Sequence, residues 1–370
     1  MKRLVQYGAH AIVRIDWWLV GAIIFLCTVG VLMQYTIGLN QEIPDLGGAY
    51  KHMVFISIGA VLFAGAFFIE PRQLKLHPFM YALLAVLLLI AVLIFGQEIK
   101  GTTGWFILFG FSFQPVELVK VLFILFMASY VQKDATVLYR PRYFLTSAGV
   151  IGIILGLVIL QPDLGSAAVL ASLWFWILVI VRVPKRYIAA VIGVGVVAFL
   201  IGWFGLFEQY QRDRLTTFLN PEENALTTGY NITQSIVAVG SGQLWGKGLG
   251  FGTQSQLHFL PEVASDFIFA AIAEELGFIG VVLLISAFAI IVWRLWIYAR
   301  RAEDYYAFIF LIGVIIYITF QSVLVMGMNI GLMPVTGLPL PLVSRGGSSM
   351  VVTLLLLGIA HRMGMRSMGE

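Results

Sequence analysis

Apolar residues form long, nearly uninterrupted runs along this chain, and polar residues collect in the gaps between the runs. A helix needs roughly 17 to 25 apolar residues to cross the hydrocarbon core of a bilayer. Ten runs approach that length, at about residues 17–36, 53–69, 78–96, 115–131, 145–161, 164–182, 188–206, 267–297, 305–327 and 347–361. The pattern therefore predicts an all-α integral membrane protein with ten transmembrane helices.

Composition agrees with this prediction. With 60% hydrophobic and 11% charged residues, the chain has too little polar surface to cover a water-soluble globule. No small-residue cleavage pattern follows the first run, so we expect a retained helix and not a signal peptide. The single cysteine, Cys27, allows no disulfide within the chain. The basic residues are scattered between apolar runs, which argues against nucleic acid as a partner.

The positions of lysine and arginine orient the chain. If the N-terminus is cytoplasmic, 16 of the 23 basic residues lie on inner segments and six on outer segments, with Lys120 inside a run. Cytoplasmic loops carry the excess of Lys and Arg, so both termini are predicted to be cytoplasmic. One long extracytoplasmic loop, residues 207–265, then lies outside. Its aromatic and apolar content predicts an ordered, functional segment.

A glycine-rich stretch, GSGQLWGKGLGFG at residues 240–252, lies within this loop. It resembles a dinucleotide-binding loop superficially, but no strand precedes it and no βαβ unit follows. We therefore predict a tight, mobile turn.

Charges within or beside membrane spans are costly unless paired or solvated, which makes each of them a functional candidate. Glu117 and Lys120 lie three residues apart on one helix face and can neutralise each other. Such a pair either stabilises packing or supports a site. Asp163 follows Pro162 at a short outer turn, where we expect it to cap the next helix.

Four more carboxylates, Glu262, Asp266, Glu274 and Glu275, occur in the segment at residues 259–278. Asp266 stands where the loop enters a span and is a possible N-cap, a role that Ser265 could equally fill. A cap explains neither Glu274 nor Glu275. Three carboxylates over ten residues indicate a site that binds a cation or moves a proton. Spacing alone leaves catalysis and ion-coupled transport open.

Six strings occur in an order that resembles the signatures of the SEDS family, named for shape, elongation, division and sporulation. They are QPVELVK (114–120), QPDLGS (161–166), YQRDR (210–214), GTQSQLHFLPE (252–262), SDFIFAAIAEELG (265–277) and GLPLPLVSRGGSS (337–349). The resemblance covers almost the whole chain, as one SEDS-type polytopic domain over residues 1–370. Within the family, the chain is more similar to the elongation branch than to the division branch.

The resemblance implies a peptidoglycan glycosyltransferase that polymerises lipid II at the outer face of the cytoplasmic (inner) membrane. It also implies a class B penicillin-binding protein as transpeptidase partner and association with the rod complex, or elongasome. Asp266 matches the family's catalytic aspartate. Glu117 and Lys120 match the buried acid and lysine of its QPSE motif, in which Val116 replaces the usual serine.

The implied chemistry needs a base for an acceptor hydroxyl and cations for a departing diphosphate. We expect Asp266 to be the base. A divalent cation, Mg²⁺ or Mn²⁺, bound to Asp266 would help the diphosphate to leave. The candidate ligands of the diphosphate are Lys100, Arg212, Arg214, Lys247 and Arg345.

The chain departs from the family pattern at several cationic positions. Family members often have Arg and His shortly before the catalytic aspartate, where this chain has Val263 and Ala264. Two further arginine positions are Gly104 and Ser112, whereas Arg345 replaces a tyrosine. We therefore expect Arg345, with Lys100 or Lys247, to take over part of the diphosphate binding.

Two other functions fit the resemblance less well. A lipid II flippase would use many spans and intramembrane charges, and a non-catalytic scaffold would only position a transpeptidase. A flippase is expected to show repeated halves, and no internal repeat is found in the sequence.

Overall fold

The structure is a computed structural model that describes residues 15–39, 45–99, 101–108, 111–132, 135–220, 228–257 and 259–367. Helices dominate this part of the chain. They are α1 Trp17–Leu39, α2 Gly47–Ala66, α3 Pro78–Phe95, α4 Pro115–Val131, α5 Pro141–Ile159, α6 Leu164–Ile180, α7 Lys185–Ile201, α8 Gln209–Leu219, α9 Thr228–Ser241, α10 Thr253–Gln256, α11 Ile268–Arg300, α12 Tyr305–Asn329 and α13 Gly347–Ser367.

Eight helices in the described residues are long and apolar enough to cross a membrane, which confirms the prediction of an all-α membrane protein. They are α1, α2, α3, α5, α7, α11, α12 and α13. The remaining apolar helices, α4 and α6, have 17 residues each. At 1.5 Å per residue they reach about 26 Å, somewhat less than the roughly 30 Å of a hydrocarbon core. The count of ten spans therefore stays a prediction.

The helices differ in how much surface they present to lipid. Nearly every residue of α4 is buried, including both of its charged side chains. By contrast, no residue of α7 is buried, so its apolar surface faces outward along its length. Helix α4 therefore belongs to the protein core, where an intramembrane charge can find a partner.

A small antiparallel sheet precedes α4. Its strands β1 Gln97–Ile99, β2 Thr102–Leu108 and β3 Phe111–Phe113 lie in the order β1–β2–β3. Gln97 pairs with Trp105, and Phe106 pairs with Phe113. The apolar pattern does not predict this sheet, because such short strands beside long apolar runs carry little alternation.

Helix α11 is interrupted at Gly277, whose φ of 67° and ψ of −167° are not helical. Residues 278–300 alone extend about 34 Å and can cross the membrane without residues 268–276. The single span predicted at 267–297 is therefore two helical pieces. Glu274 and Glu275 belong to the first piece, called here the half-helix, residues 268–276.

The long segment at residues 207–265 contains α8, α9 and α10. Order within it is thus confirmed for the described residues. Its glycine-rich stretch forms the predicted turn, with positive φ at Gly246, Gly248 and Gly250, and the mobility of this turn stays a prediction. The turn packs against the interruption of α11.

A polar cluster joins three helices at the end of the bundle where α1 begins. Asp16 accepts from Leu19 N and so caps α1, while its other carboxylate oxygen accepts from Arg294 and Tyr298. The Asp16 N–H donates to His361 Nε2 over 3.0 Å. Burial alone would raise the pKa of Asp16, but the hydrogen bonds from Tyr298 and Arg294 hold it below the usual value of 3.8.

Candidate active site

A cavity of about 450 Å³ with several charged side chains in its lining lies at the opposite end of the bundle. It is bounded by the start of α2, the sheet, the turn before α6, α8, and the two loops that precede α11 and α13. Both signs of charge line it. The charged and imidazole side chains are Lys51, His52, Asp163, Arg214, Glu262, Asp266 and Arg345.

Hydrogen bonds to the backbone around Asp266 fix the position of this residue at the cavity. The helical first turn begins at Ile268 with Phe267 as N-cap, so Asp266 is not the cap residue of α11. Asn329, at the end of α12, donates to the Asp266 carbonyl and accepts from Ala270 N, each over 3.0 Å. This amide fixes the backbone on both sides of the helix start, and Asp266 lines the cavity partly exposed.

The loop at residues 336–339 forms the wall beside Asp266. Gly337 has a φ of +70°, and a Cβ built on it would lie 3.8 Å from Asp266 Oδ2. A glycine is the residue that adopts this left-handed conformation at little cost. Ser344 Oγ ties the next part of the loop to the Ser265 carbonyl over 2.6 Å. The catalytic candidate therefore sits between two loops bonded to each other.

Two of the predicted diphosphate ligands share the cavity with Asp266. Arg345 is exposed, and its N–H donates to the Ala264 carbonyl over 2.9 Å. Its guanidinium lies beside Gly48 at the start of α2, where a Cβ would come within 3.4 Å of Nη1. Arg214 reaches the cavity from α8. Three separate elements thus bring two arginines and one aspartate to one space.

The other predicted ligands lie elsewhere. Lys247 forms an ion pair with Glu274, with 2.8 Å between Nζ and Oε1, and it does not line the cavity. Arg212 does not line the cavity, and its buried Nε has no hydrogen-bond partner within the described part of the chain. Lys100 lies outside the described residues.

The sequence prediction missed Lys51 and His52, which line the cavity from the second turn of α2. A signal was present, since Lys51 is one of the six basic residues on the predicted outer segments. It was not singled out because it lies more than 200 positions before Asp266. Lys51 and Asp266 come near each other only because α2 packs against α13 and the loop at residues 343–345.

Several positions where the resemblance leads us to expect cations also border this region. Ser112 and Ala264 line the cavity, and Val263, which precedes Ala264 in the chain, is buried. Gly104 lies beside Gln161, whose Oε1 would be 3.3 Å from a Cβ at that position. The cationic side chains of this cavity therefore come from other places than the usual family positions.

The predicted Glu117–Lys120 ion pair is present, with 2.9 Å between Lys120 Nζ and Glu117 Oε1. Each residue is only 1% exposed. Lys120 also donates to Gln321 Oε1 over 3.2 Å, and Gln321 Nε2 donates to the Pro339 carbonyl over 2.9 Å. Since Pro339 lines the cavity, the pair supports the loop beside Asp266 from below.

Asp163 caps α6, as predicted, by accepting from Ser166 N over 2.9 Å. Its second oxygen accepts from Gln114 Nε2 over 3.1 Å. Gln114 in turn donates its N–H to Ser348 Oγ over 2.8 Å. The starts of α4, α6 and α13 are therefore tied together around the cavity by Gln114, Asp163 and Ser348.

Within the described residues, no group of three or more His, Cys, Asp or Glu side chains is arranged to hold a metal ion. Asp266 therefore has no preformed protein ligand set there. Mg²⁺ is commonly held by one or two carboxylates together with substrate phosphates. The donors present fit an ion that arrives with a phosphorylated substrate, and not a permanently bound one.

Fold and cavity together define a multi-pass helical membrane protein with a cavity at one end of its bundle that both cations and carboxylates line. Comparison with known proteins places it more narrowly. A family model described as a cell cycle protein, covering FtsW, RodA and SpoVE, matches residues 17–368. The chain belongs to this family, as its motifs indicated.

Individual relatives agree. The peptidoglycan glycosyltransferase MrdB of Escherichia coli K12 is 37% identical over 320 residues, covering 85% of each chain. The probable peptidoglycan glycosyltransferase FtsW of Xanthomonas oryzae pv. oryzae is 35% identical over 362 residues, covering 94% of this chain and 72% of FtsW. A chain from a peptidoglycan synthase complex that coordinates polymerisation and crosslinking superposes with a TM-score of 0.79 at 29% identity, covering 96% of this chain and 99% of that one.

Proposed function

We propose that this protein is a peptidoglycan glycosyltransferase that polymerises lipid II at the outer face of the cytoplasmic membrane during cell elongation. One observation carries the proposal most directly. Asp266, Arg214 and Arg345 come from three separate parts of the chain and line one cavity. A carboxylate beside fixed cations is the equipment for removing a hydroxyl proton while an anionic group leaves.

Asp266 acts as the general base. It takes the proton of the acceptor sugar hydroxyl as that oxygen forms its bond to the anomeric carbon of the donor. The bond between this carbon and the diphosphate oxygen breaks, and the polyprenyl diphosphate leaves with the electron pair. The side chains of Asn329 and Ser344 donate to the backbone carbonyls of Asp266 and Ser265 and so hold the loop that carries Asp266. The base is therefore positioned before the substrate arrives.

The cations of the cavity stabilise the departing diphosphate. Arg345 and Arg214 offer planar guanidinium groups suited to phosphate oxygens, and Lys51 adds a point charge. Charge placed in advance at the position where negative charge develops lowers the barrier most effectively. Glu262 lines the same cavity as Asp266, and Asp266 is the better candidate for the base because it matches the family's catalytic aspartate.

A divalent cation, Mg²⁺ or Mn²⁺, is the cofactor we propose. Asp266 would contribute one oxygen ligand, and the diphosphate would contribute others. When bound, the ion would neutralise charge on the leaving group. Chelation followed by addition of Mg²⁺ or Mn²⁺, with lipid II binding measured beside turnover, tests the requirement. Full activity and unchanged binding in excess chelator would contradict it.

The partner we propose is a class B penicillin-binding protein that supplies the transpeptidase, within the rod complex. Support comes from the superposition with a chain of a complex that joins polymerisation and crosslinking. We expect a single-span partner to dock against the helices and raise polymerisation, since helix packing in lipid can shift a conformational equilibrium. Equal polymerisation by the isolated chain and by the complex would count against this.

Purified protein in lipid vesicles, incubated with fluorescently labelled lipid II with and without the partner, tests the function as a whole. The expected product is a ladder of glycan strands that is lost in Asp266→Asn. Movement of lipid II across the vesicle bilayer without strand growth would instead indicate the flippase alternative. Partner crosslinking activity that needs the chain but not Asp266, again without strand growth, would indicate a scaffold.

A further inference from the structure

The interruption of α11 leaves backbone groups that the helix itself cannot satisfy. In an unbroken helix, the carbonyls of Glu274 and Glu275 would accept from residues one turn later. Instead, they accept from Lys247 N over 2.9 Å and from Gly248 N over 3.0 Å. The glycine-rich stretch therefore supplies the donors that the break removes.

The same stretch satisfies the other side of the break. Phe278 N donates to the Gln243 carbonyl over 2.8 Å, and Ile279 N donates to the Leu244 carbonyl over 3.2 Å. The approach is too close for side chains, because a Cβ on Gly246 would lie 2.1 Å from the Glu275 carbonyl oxygen. The glycines of this stretch are thus required for backbone to lie against backbone.

The Glu274 carboxylate is surrounded by donors from the segment that follows. Oε1 accepts from Lys247 Nζ over 2.8 Å, Thr253 Oγ1 over 3.2 Å and Gln254 N over 2.9 Å. Oε2 accepts from the N–H and the hydroxyl of Ser255, each over 2.9 Å. Both oxygens are therefore occupied by donors, and the residue is completely buried.

Glu275 binds the same segment from the neighbouring position. Its carboxylate accepts from Gly250 N over 3.0 Å and from Gln256 Nε2. Longer contacts of 3.4 Å join it to the hydroxyls of Ser255 and Thr36. The second glutamate is also completely buried. Together the two carboxylates hold residues 247–256 against the half-helix.

This arrangement controls both ends of the loop that carries Asp266. The described part of the loop, residues 257 and 259–267, lies between α10 and the half-helix. Glu274 and Glu275 join α10 to the half-helix at the base of this connection. We call Glu274, Glu275 and the donors in residues 247–256 the acidic clasp. Asp266 lies near the far end of the loop that the clasp closes.

We propose that Glu274 and Glu275 are positioning residues that fix the placement of Asp266 through the acidic clasp. The inference rests on the proposed function. It gives the two glutamates a structural role in that function, in place of the proton or ion transport that their spacing also allows. Neither residue lines the cavity, and both are completely buried, so they act through the loop that carries Asp266. The half-helix is not needed to cross the membrane and is held in place by these bonds.

Glu274→Gln is the principal test. The amide places an NH₂ group where the structure has only donors, so at least one contact becomes repulsive. We expect kcat for lipid II polymerisation to fall about tenfold or more, because a misplacement of about 1 Å can cost about 100-fold in rate. The lipid II KM should stay within about twofold, since the cations lie on other elements.

Lys247→Met distinguishes a role of Lys247 in the acidic clasp from a role in binding the diphosphate of the substrate. As a clasp residue, Lys247 should affect kcat with little change in KM, whereas a diphosphate ligand should raise KM. The double variant Lys247→Met/Glu274→Gln removes the stranded ammonium and should recover part of the lost kcat. A raised KM with unchanged kcat in Lys247→Met would overturn the assignment of this residue to the clasp.

Hydrogen exchange supplies a readout independent of activity. Peptides within residues 243–257 should exchange faster in Glu274→Gln, with a smaller change in Glu275→Gln, while peptides of α4 and α12 stay protected. Glu303→Gln, an exposed residue outside the clasp, is the matched control and should change neither exchange nor kcat. If Glu274→Gln does not fold, the same comparison is made with Glu275→Gln and Lys247→Met.

Two failures can be told apart. A wild-type chain that forms no glycan strands contradicts the proposed function itself. A wild-type chain that polymerises lipid II, together with unchanged kcat and unchanged exchange in Glu274→Gln, contradicts only the acidic clasp.

Discussion

Asp266 and Glu274 lie in the same stretch of sequence, yet the fold gives them opposite surroundings. Glu274 is completely buried, and donors of its own chain occupy both carboxylate oxygens. Asp266 is partly exposed and lines a cavity with Arg214 and Arg345. The comparison teaches that a carboxylate in a membrane protein is structural where the chain surrounds it with donors, and a reaction candidate where it borders a space that substrate can enter.

Other acidic residues divide in the same way. Glu117 is buried against Lys120, and Asp16 is buried against Arg294 and Tyr298. Asp163 belongs to both classes, because it has a structural role as the cap of α6 and also lines the cavity. Substitutions of the structural residues should therefore change stability, whereas substitutions of the cavity residues should change turnover or substrate binding.

The largest expected effect is on catalysis in Asp266→Asn. The amide keeps the size of the side chain but cannot accept the hydroxyl proton, so the polymerisation rate should fall about 10²- to 10⁴-fold. Thermal unfolding and lipid II binding should change little. Gel analysis of labelled glycan strands measures the rate.

Asp45→Asn is the matched control, since Asp45 is exposed and accepts from Gly47 N over 2.8 Å, which asparagine does equally well. Its rate should equal that of the wild type. Substantial strand synthesis by Asp266→Asn would remove Asp266 from the reaction and place it in the structural class.

The next largest effect is on stability in Lys120→Met. Removing one partner of a buried ion pair leaves Glu117 as an uncompensated charge and typically costs about 3–5 kcal/mol. The free energy of unfolding in detergent should fall by this amount. Glu117→Gln/Lys120→Met should be less destabilised than the single variant, whereas Lys185→Met, at an exposed position, should be neutral. Equal stability of Lys120→Met and the wild type would show that the pair is not structural.

Arg345→Tyr should have a smaller effect, and on substrate binding. Hydrogen bonds to charged groups contribute about 1.5–3 kcal/mol, so the lipid II KM should rise about 10- to 100-fold. Maximal turnover should fall less, because Asp266 is untouched. Steady-state kinetics against lipid II concentration separate the two, with the exposed Arg72→Tyr as control. An unchanged KM would make Arg345 a loop residue only.

The smallest effect concerns the pH dependence of stability at Asp16. Because its pKa is lowered in the folded protein, the ionised carboxylate stabilises the fold above the unfolded pKa of about 3.8. This contribution is lost as the pH falls through the lower folded pKa. Asp16→Asn should therefore lose less stability than the wild type between about pH 5 and pH 3. Thermal unfolding across that range measures it, and parallel curves for both proteins would be the contrary result.

The sequence by itself determined the class, the family and most of the helices. Long apolar runs leave few alternatives to membrane helices, since every backbone group in lipid must be bonded within its own segment. Local spacing was also sufficient for the Glu117–Lys120 pair and the Asp163 cap, because both bonds join residues three positions apart. The motif order was enough to single out Asp266.

Tertiary structure alone decided which charges share a cavity. Lys51, Arg214, Asp266 and Arg345 are far apart in sequence and meet only through helix packing. The break at Gly277 was equally hidden, because a glycine within an apolar run is compatible with a continuous helix. The hydrogen bonds that satisfy the backbone groups at the break come from residues 243–248, about 30 positions earlier. Periodicity describes contacts along one element, whereas the roles of Glu274 and Lys247 depend on contacts between elements.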